Sequence, residues 1–221
     1  MKIQVIIVSC FLLVACRNSF AEQGDISLAL KGGTLGIGGE AGIALTDDFV
    51  LRGGINYLKF DFDSTISDID YTMEPEFKNG SLLLDWHPFS GDFRLTGGLY
   101  VNGNEINVDG TYRRDLLPPE FQQYAGLVRV KGTVDFNSIS PYAGMGWNSN
   151  HGQKGWGIAF DVGVMFQGSP NISDLYVEAP LDIGGHPEVV RFLDEQKKAI
   201  EDDLDPFQYY PVASLTLSYN F

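Results

Sequence analysis

Nine ionisable residues stand within or at the ends of apolar–polar alternations, where their side chains share a face with small polar groups. They are Glu40, Arg52, Asp85, His87, Arg94, Arg129, Lys131, Asp135 and Asp161. The set has four basic and four acidic members, with His87 besides. If Thr46–Asp48 is a turn, Glu40 and Arg52 lie within diagonal reach on neighbouring strands. If Ser90-Gly91 is a turn, His87 falls opposite Arg94, with Asp85 diagonal to it. Balanced charges on one face suit ion pairs that fill a narrow interior, because an unpaired buried charge is very costly. A selective pore would carry an excess of one sign.

Other chemistries lack their residues. The chain has no HExxH, P-loop, GxSxG or dinucleotide fingerprint. Gly36-Ile37-Gly38-Gly39 lies inside an alternating segment and reads as strand rather than phosphate cradle. The acidic run 61–70 lacks the Gly at position six and the Glu at position twelve of a calcium loop, and reads as a solvated loop. A lipid-modifying enzyme would need a group such as a His–Ser pair at the membrane interface. His87, the only strand histidine, sits between Asp85 and Arg94 instead. No enzyme, cofactor or metal is therefore expected.

Composition points to sheet. The 221 residues include 26 Gly and are 13% aromatic but only 20% charged. Disorder and coiled coil are excluded by this balance. A net charge of −14 disfavours nucleic acid, and a mean hydropathy of −0.05 disfavours a helical membrane bundle.

Residues 1–21 read as an export signal: Lys2, an apolar run to Ala15, then Ser19-Phe20-Ala21 before Glu22. A rival reading is lipidation at Cys16, after Leu13-Val14-Ala15. Both cysteines, Cys10 and Cys16, lie inside this segment, so cleavage after Ala21 leaves a cysteine-free domain, 22–221.

Beyond it, alternation recurs between turn signals. In 209–221 the odd positions include Leu215, Leu217, Tyr219 and Phe221, and the even ones Ser214, Thr216 and Ser218. In 156–168, Trp156, Ile158, Phe160 and Val162 oppose Gly157, Ala159, Asp161 and Gly163. The polar faces hold Gly, Ser, Thr and single charges, as a narrow lumen requires. Aromatic residues cluster at strand ends, as interfacial girdles do. A closed antiparallel transmembrane β-barrel follows, rather than a secreted sandwich.

The terminal Leu215, Leu217, Tyr219 and Phe221 resemble the assembly signal of bacterial outer-membrane proteins. Segments 82–89 (LLLDWHPF) and 209–221 look like those of small barrels of the OmpA/OmpW type. The resemblance implies an outer-membrane location, lipid and lipopolysaccharide contacts, and recognition by the barrel assembly machinery. It implies either a structural or surface-binding barrel, or a narrow channel for small or apolar solutes.

Eight strands are expected near 26–45, 49–63, 76–89, 93–112, 127–136, 139–149, 155–168 and 208–221. That list has a conflict. It puts the short connectors 46–48 and 90–92 outside and the longer 64–75 and 113–126 inside, the reverse of the usual barrel. Ten strands would remove it, with a break at Gly32-Gly33 and a return strand at 172–179. One helix is expected, 187–204, with Pro187 in its first turn and a stripe of Val189, Leu193, Ile200 and Leu204. It would pack on the rim or serve as a lid.

Overall fold

The computed structural model describes residues 24–66, 69–111, 129–178 and 187–221. The export-signal reading of 1–21 lies outside these residues.

Alternation becomes strand, as the sequence requires. The strands are β1 (Ile26–Gly33), β2 (Gly36–Ala44), β3 (Phe49–Lys59), β4 (Phe62–Ile66), β5 (Ile69–Trp86) and β6 (Phe93–Asn102). They continue as β7 (Glu105–Thr111), β8 (Arg129–Asp135), β9 (Ile139–Asn148), β10 (Gly155–Phe166), β11 (Asn171–Glu178) and β12 (Tyr209–Asn220). Helix α1 (Pro187–Leu204) precedes a short 3-10 turn (Asp205–Gln208).

Eight of these strands close on themselves in the cyclic order β1, β2, β3, β5, β6, β9, β10, β12, each pair antiparallel. The closing pair sets Leu30 opposite Leu217 and Leu28 opposite Tyr219. The eight-stranded barrel expected from the sequence is thus present, but its strand list differs. Segment 26–45 is two strands joined at Thr34-Leu35. Of segment 127–136, the described residues 129–136 lie outside the wall. The break falls where Gly36 takes φ +91°, and a Cβ there would meet the Tyr57 carbonyl at 2.1 Å. This split also restores the connector pattern. Short turns 45–48, 87–92 and 149–154 share the end that carries both described termini. Apart from the β1–β2 hairpin, the connections at the opposite end are long.

Those long connections build a second unit. The first half of β5 runs on past the barrel, pairing with β4 and β7, and β7 continues through β8 to β11. The expected tenth strand therefore exists as β11, but it lies in this extension and not in the barrel. Helix α1 packs against it. Ile200 and Leu204 join Met73, Ile106, Val108, Val130, Val134, Phe136 and Ile172 in one buried cluster, with Leu193 and Ala199 at its margin. The helix thus covers one face of the extension. The side chain of Val189 is outside the described residues.

The barrel wall is apolar outside. Ile37, Ile55 and Leu30 are each more than 70% exposed, and Leu82, Ile158, Phe160 and Leu215 at least half exposed. In water such a belt would be a large hydrophobic patch; in a bilayer it meets hydrocarbon. Ring pairs mark its lower rim, Trp156 on Tyr219 and Phe93 on Trp147, with centroids 5.3 and 4.8 Å apart. Among the described residues no helix is long and apolar enough to cross a membrane.

Candidate functional site: a filled lumen

The period of two that turns Leu and Ile outward turns the other side chains into the lumen. Three layers of them fill it.

The first is ionic. Arg52 on β3 donates from Nη1 to Glu40 Oε1 at 2.9 Å and from Nη2 to Asp85 Oδ1 at 2.8 Å. Its Nε lies 2.6 Å from the second Asp85 oxygen. Arg94 on β6 grips Asp161 with Nη2 at 2.8 Å from each carboxylate oxygen, and its Nε is 3.6 Å from Asp85. Lys31 on β1 donates to the remaining Glu40 oxygen at 3.2 Å, and Thr96 donates to Asp85 at 2.7 Å. All six ionic side chains are at least nine-tenths buried. Three cations thus face three carboxylates, so the layer is neutral. Gly146 makes room for it, since a Cβ there would stand 2.5 Å from Asp161 Oδ1 and 3.1 Å from Arg94 Nε.

The second layer is apolar and aromatic. Leu83, Tyr100, Tyr142, Met165 and Val212 pack together, with Tyr100 and Tyr142 edge to face at 5.5 Å. Leu35, from the tip of the β1–β2 hairpin, joins them. That tip is fixed by Thr34, whose hydroxyl donates to the Pro211 carbonyl at 3.0 Å, while Tyr210 donates to the Thr34 carbonyl at 2.8 Å. The third layer is amides. Asn79 donates to Asn104 at 2.7 Å, and Asn104 donates to Gln167 at 3.1 Å. Gln167 then donates to the Phe207 carbonyl at 2.9 Å, tying together the bases of the long connections.

The nine expected residues divide. Glu40, Arg52, Asp85, Arg94 and Asp161 meet in the ionic layer. Arg52 contacts Glu40 on the neighbouring strand, whereas Arg94 reaches Asp161 two strands away, across Gly146, more closely than Asp85. His87 lies 1% exposed below the layer, stacked on His151 rather than ion-paired. Arg129, Lys131 and Asp135 are not in the lumen. They lie on β8 in the extension, where Arg129 pairs with Asp109 at 3.0 Å and Lys131 with Glu178. Their alternation was read correctly, but segment 127–136 was assigned to the barrel, and so its polar face to the lumen. Lys31 was missed, because reading 26–45 as one strand hid the first alternation, Ile26, Leu28, Leu30 against Ser27, Ala29, Lys31.

Among the described residues no cluster of three or more His, Cys, Asp or Glu could hold a metal. The fold and its contents define a small closed eight-stranded barrel with an apolar belt and inward-turned, buried polar and aromatic side chains. Solved structures agree in fold. The chain resembles CarO2 of Acinetobacter baumannii (20% identity, 90% of this chain and 100% of that one, TM-score 0.60). It also resembles CarO of the same organism (17% identity, 88% and 97%, TM-score 0.56). No protein-family model and no curated protein matches the chain.

Proposed function

We propose that this chain is an outer-membrane β-barrel protein of structural or surface-binding type, not an enzyme and not an open pore. The observation that carries this reading is the ionic layer. A neutral, mutually paired cluster of six buried side chains gives a solute no net field to follow and no vacant partner to bind. The two tyrosines and Met165 stack above it.

The apolar belt and the CarO-like fold support the outer membrane as the location, with residues 1–21 as the export signal cleaved after Ala21. The termini-bearing end would then face the periplasm, and the extension would stand outside. Its outward face carries Thr72, Glu74, Asn107, Asp109, Lys131, Thr133 and Tyr176 around a depression of about 280 Å³. This is a polar surface at the level of lipopolysaccharide sugars, and we take it as the recognition side. Leu215, Leu217, Tyr219 and Phe221 would be the signal read by the assembly machinery. Deleting Phe221 should leave aggregate in the periplasm in place of folded barrel.

Planar-bilayer recording of the purified protein tests the central point. We expect little or no conductance. A stable, large single-channel conductance would overturn the filled-lumen reading in favour of a narrow channel for small solutes.

A further inference from the structure

Below the ionic layer, at the mouth that carries the described termini, three turns converge on two histidines. The His87 and His151 rings lie face to face, with centroids 3.6 Å apart and planes within 10°. Each ring is anchored at one nitrogen. His87 Nδ1 donates to the Gly91 carbonyl at 2.7 Å, and His151 Nε2 donates to the Asp47 carbonyl at 3.1 Å. A carbonyl only accepts, so both tautomers are fixed, and His87 Nε2 and His151 Nδ1 are the nitrogens without a proton. The turns are cross-linked around them. The His87 amide donates to the Asp48 carbonyl at 2.8 Å, and Ser90 donates to the Asp48 carboxylate at 2.8 Å. The pair thus ties turn 45–48 to 87–92 and to 149–154.

We propose that the His87–His151 stack is an acid-sensitive latch. It holds the three turns together while both rings are neutral and releases them when one ring takes a proton from solvent. The inference rests on the closed barrel, not on its location or on whether it conducts.

The groups facing the pair set the direction. Asp85 and Arg94 lie above it, Asp92 beside it, and Asp47 and Asp48 on turn 45–48. Asp25 lines the same mouth. Burial, then the neighbouring His151, pushes the His87 imidazole down to about 4. Burial also lowers His151, against the pull of the Asp47 carbonyl and Asp92. His151 is the more exposed ring and receives the proton first. Two rings at van der Waals contact tolerate one another when neutral. An imidazolium in the stack loses solvation and gains nothing from its partner's face, whereas Asp92 and Asp48 offer carboxylates outside the stack. An unfolded or released histidine binds its proton near 6.5, the latched ones at lower pH. The latch is therefore complete above about pH 6.5 and weakens as the pH falls towards 4.

The test is backbone amide hydrogen exchange of the micelle-bound protein at pH 7.5 and 5.0, corrected for the intrinsic pH dependence of exchange. Peptides covering 45–48, 87–92 and 149–154 should open about tenfold or more readily at pH 5.0, while barrel-strand peptides stay unchanged. In the double variant His87→Phe/His151→Gln the difference should vanish. Equal corrected rates in wild type, or a difference retained in the double variant, would overturn the proposal. If the double variant does not fold, NMR titration of the wild-type imidazole C2 protons decides. Values well below 6.5 for both rings support the latch, and values at or above 6.5 refute it.

Discussion

Strand β5 passes through two environments without breaking its alternation, and the two halves have opposite polarity. Towards Trp86, its inward residues are Asp85, Leu83, Ser81 and Asn79, three of the four polar, and its outward ones are Trp86, Leu84 and Leu82. Towards Thr72, the inward residues are Phe77, Pro75 and Met73, and the outward ones are Lys78, Glu76 and Glu74. Register with β3 and β7 is continuous throughout, so no bulge causes the inversion. The solvent outside must change instead. Hydrocarbon rewards apolar outward residues and leaves the lumen to the polar ones. Water rewards the reverse and demands an apolar face, which α1 covers. The boundary falls near Lys78 to Gly80.

Ion pairs sharpen the same comparison. Arg52–Asp85 and Lys131–Glu178 use similar chemistry, but the first is buried and the second is open to water. Arg52→Ala should have the largest effect, because it strands Glu40 and Asp85 without their main partner. We expect a loss of roughly 3–5 kcal/mol, read from urea unfolding in lipid vesicles. Arg94→Ala should follow closely, and Arg94→Ala/Asp161→Ala should cost less than the two single changes together. If these losses add, the pair is not coupled as its bidentate geometry requires.

Ile200→Ala should come next. It removes a fully buried side chain from between α1 and the extension, at a cost of about 2–4 kcal/mol. Limited proteolysis should then cut within 187–204 while the barrel strands stay protected. Simultaneous loss of the barrel would show that the two units are one cooperative body. Lys131→Ala should do least. Glu178 holds the Lys131 ammonium above its usual range and is itself lowered in return, but both groups are solvated and salt-screened. The urea midpoint should not move, and a clear shift would mean that this face is not open to water.

Most of the wall was legible in the residues. Alternation from 139 to 166 and from 209 to 221 specifies which side chains share a face, and aromatic residues near the strand ends suit a lipid-facing wall. The helix at 187–204 was legible from Pro187 and its apolar stripe. The charges Glu40, Arg52, Asp85, Arg94 and Asp161 could be read as sharing one face, because a period of two is a local property. The strand count was less secure. Eight was right, yet the list was not, since nothing local says that Gly36 ends a hairpin or that 129–135 pairs away from the barrel.

What the sequence by itself determined is the class of structure and the face each residue occupies, because both follow from periodicity within one segment. Only the tertiary structure decided which face meets which solvent and which partner. Val130 and Lys131 alternate just as Phe160 and Asp161 do. Val130 turns into a core under a helix and Lys131 towards water, whereas Phe160 turns outward and Asp161 into the lumen. That choice belongs to closure of the barrel, a non-local pairing that joins β1 to β12 across the whole chain. The same closure draws Arg94 to Asp161 and lays His87 against His151, contacts between segments more than sixty residues apart that no local pattern encodes.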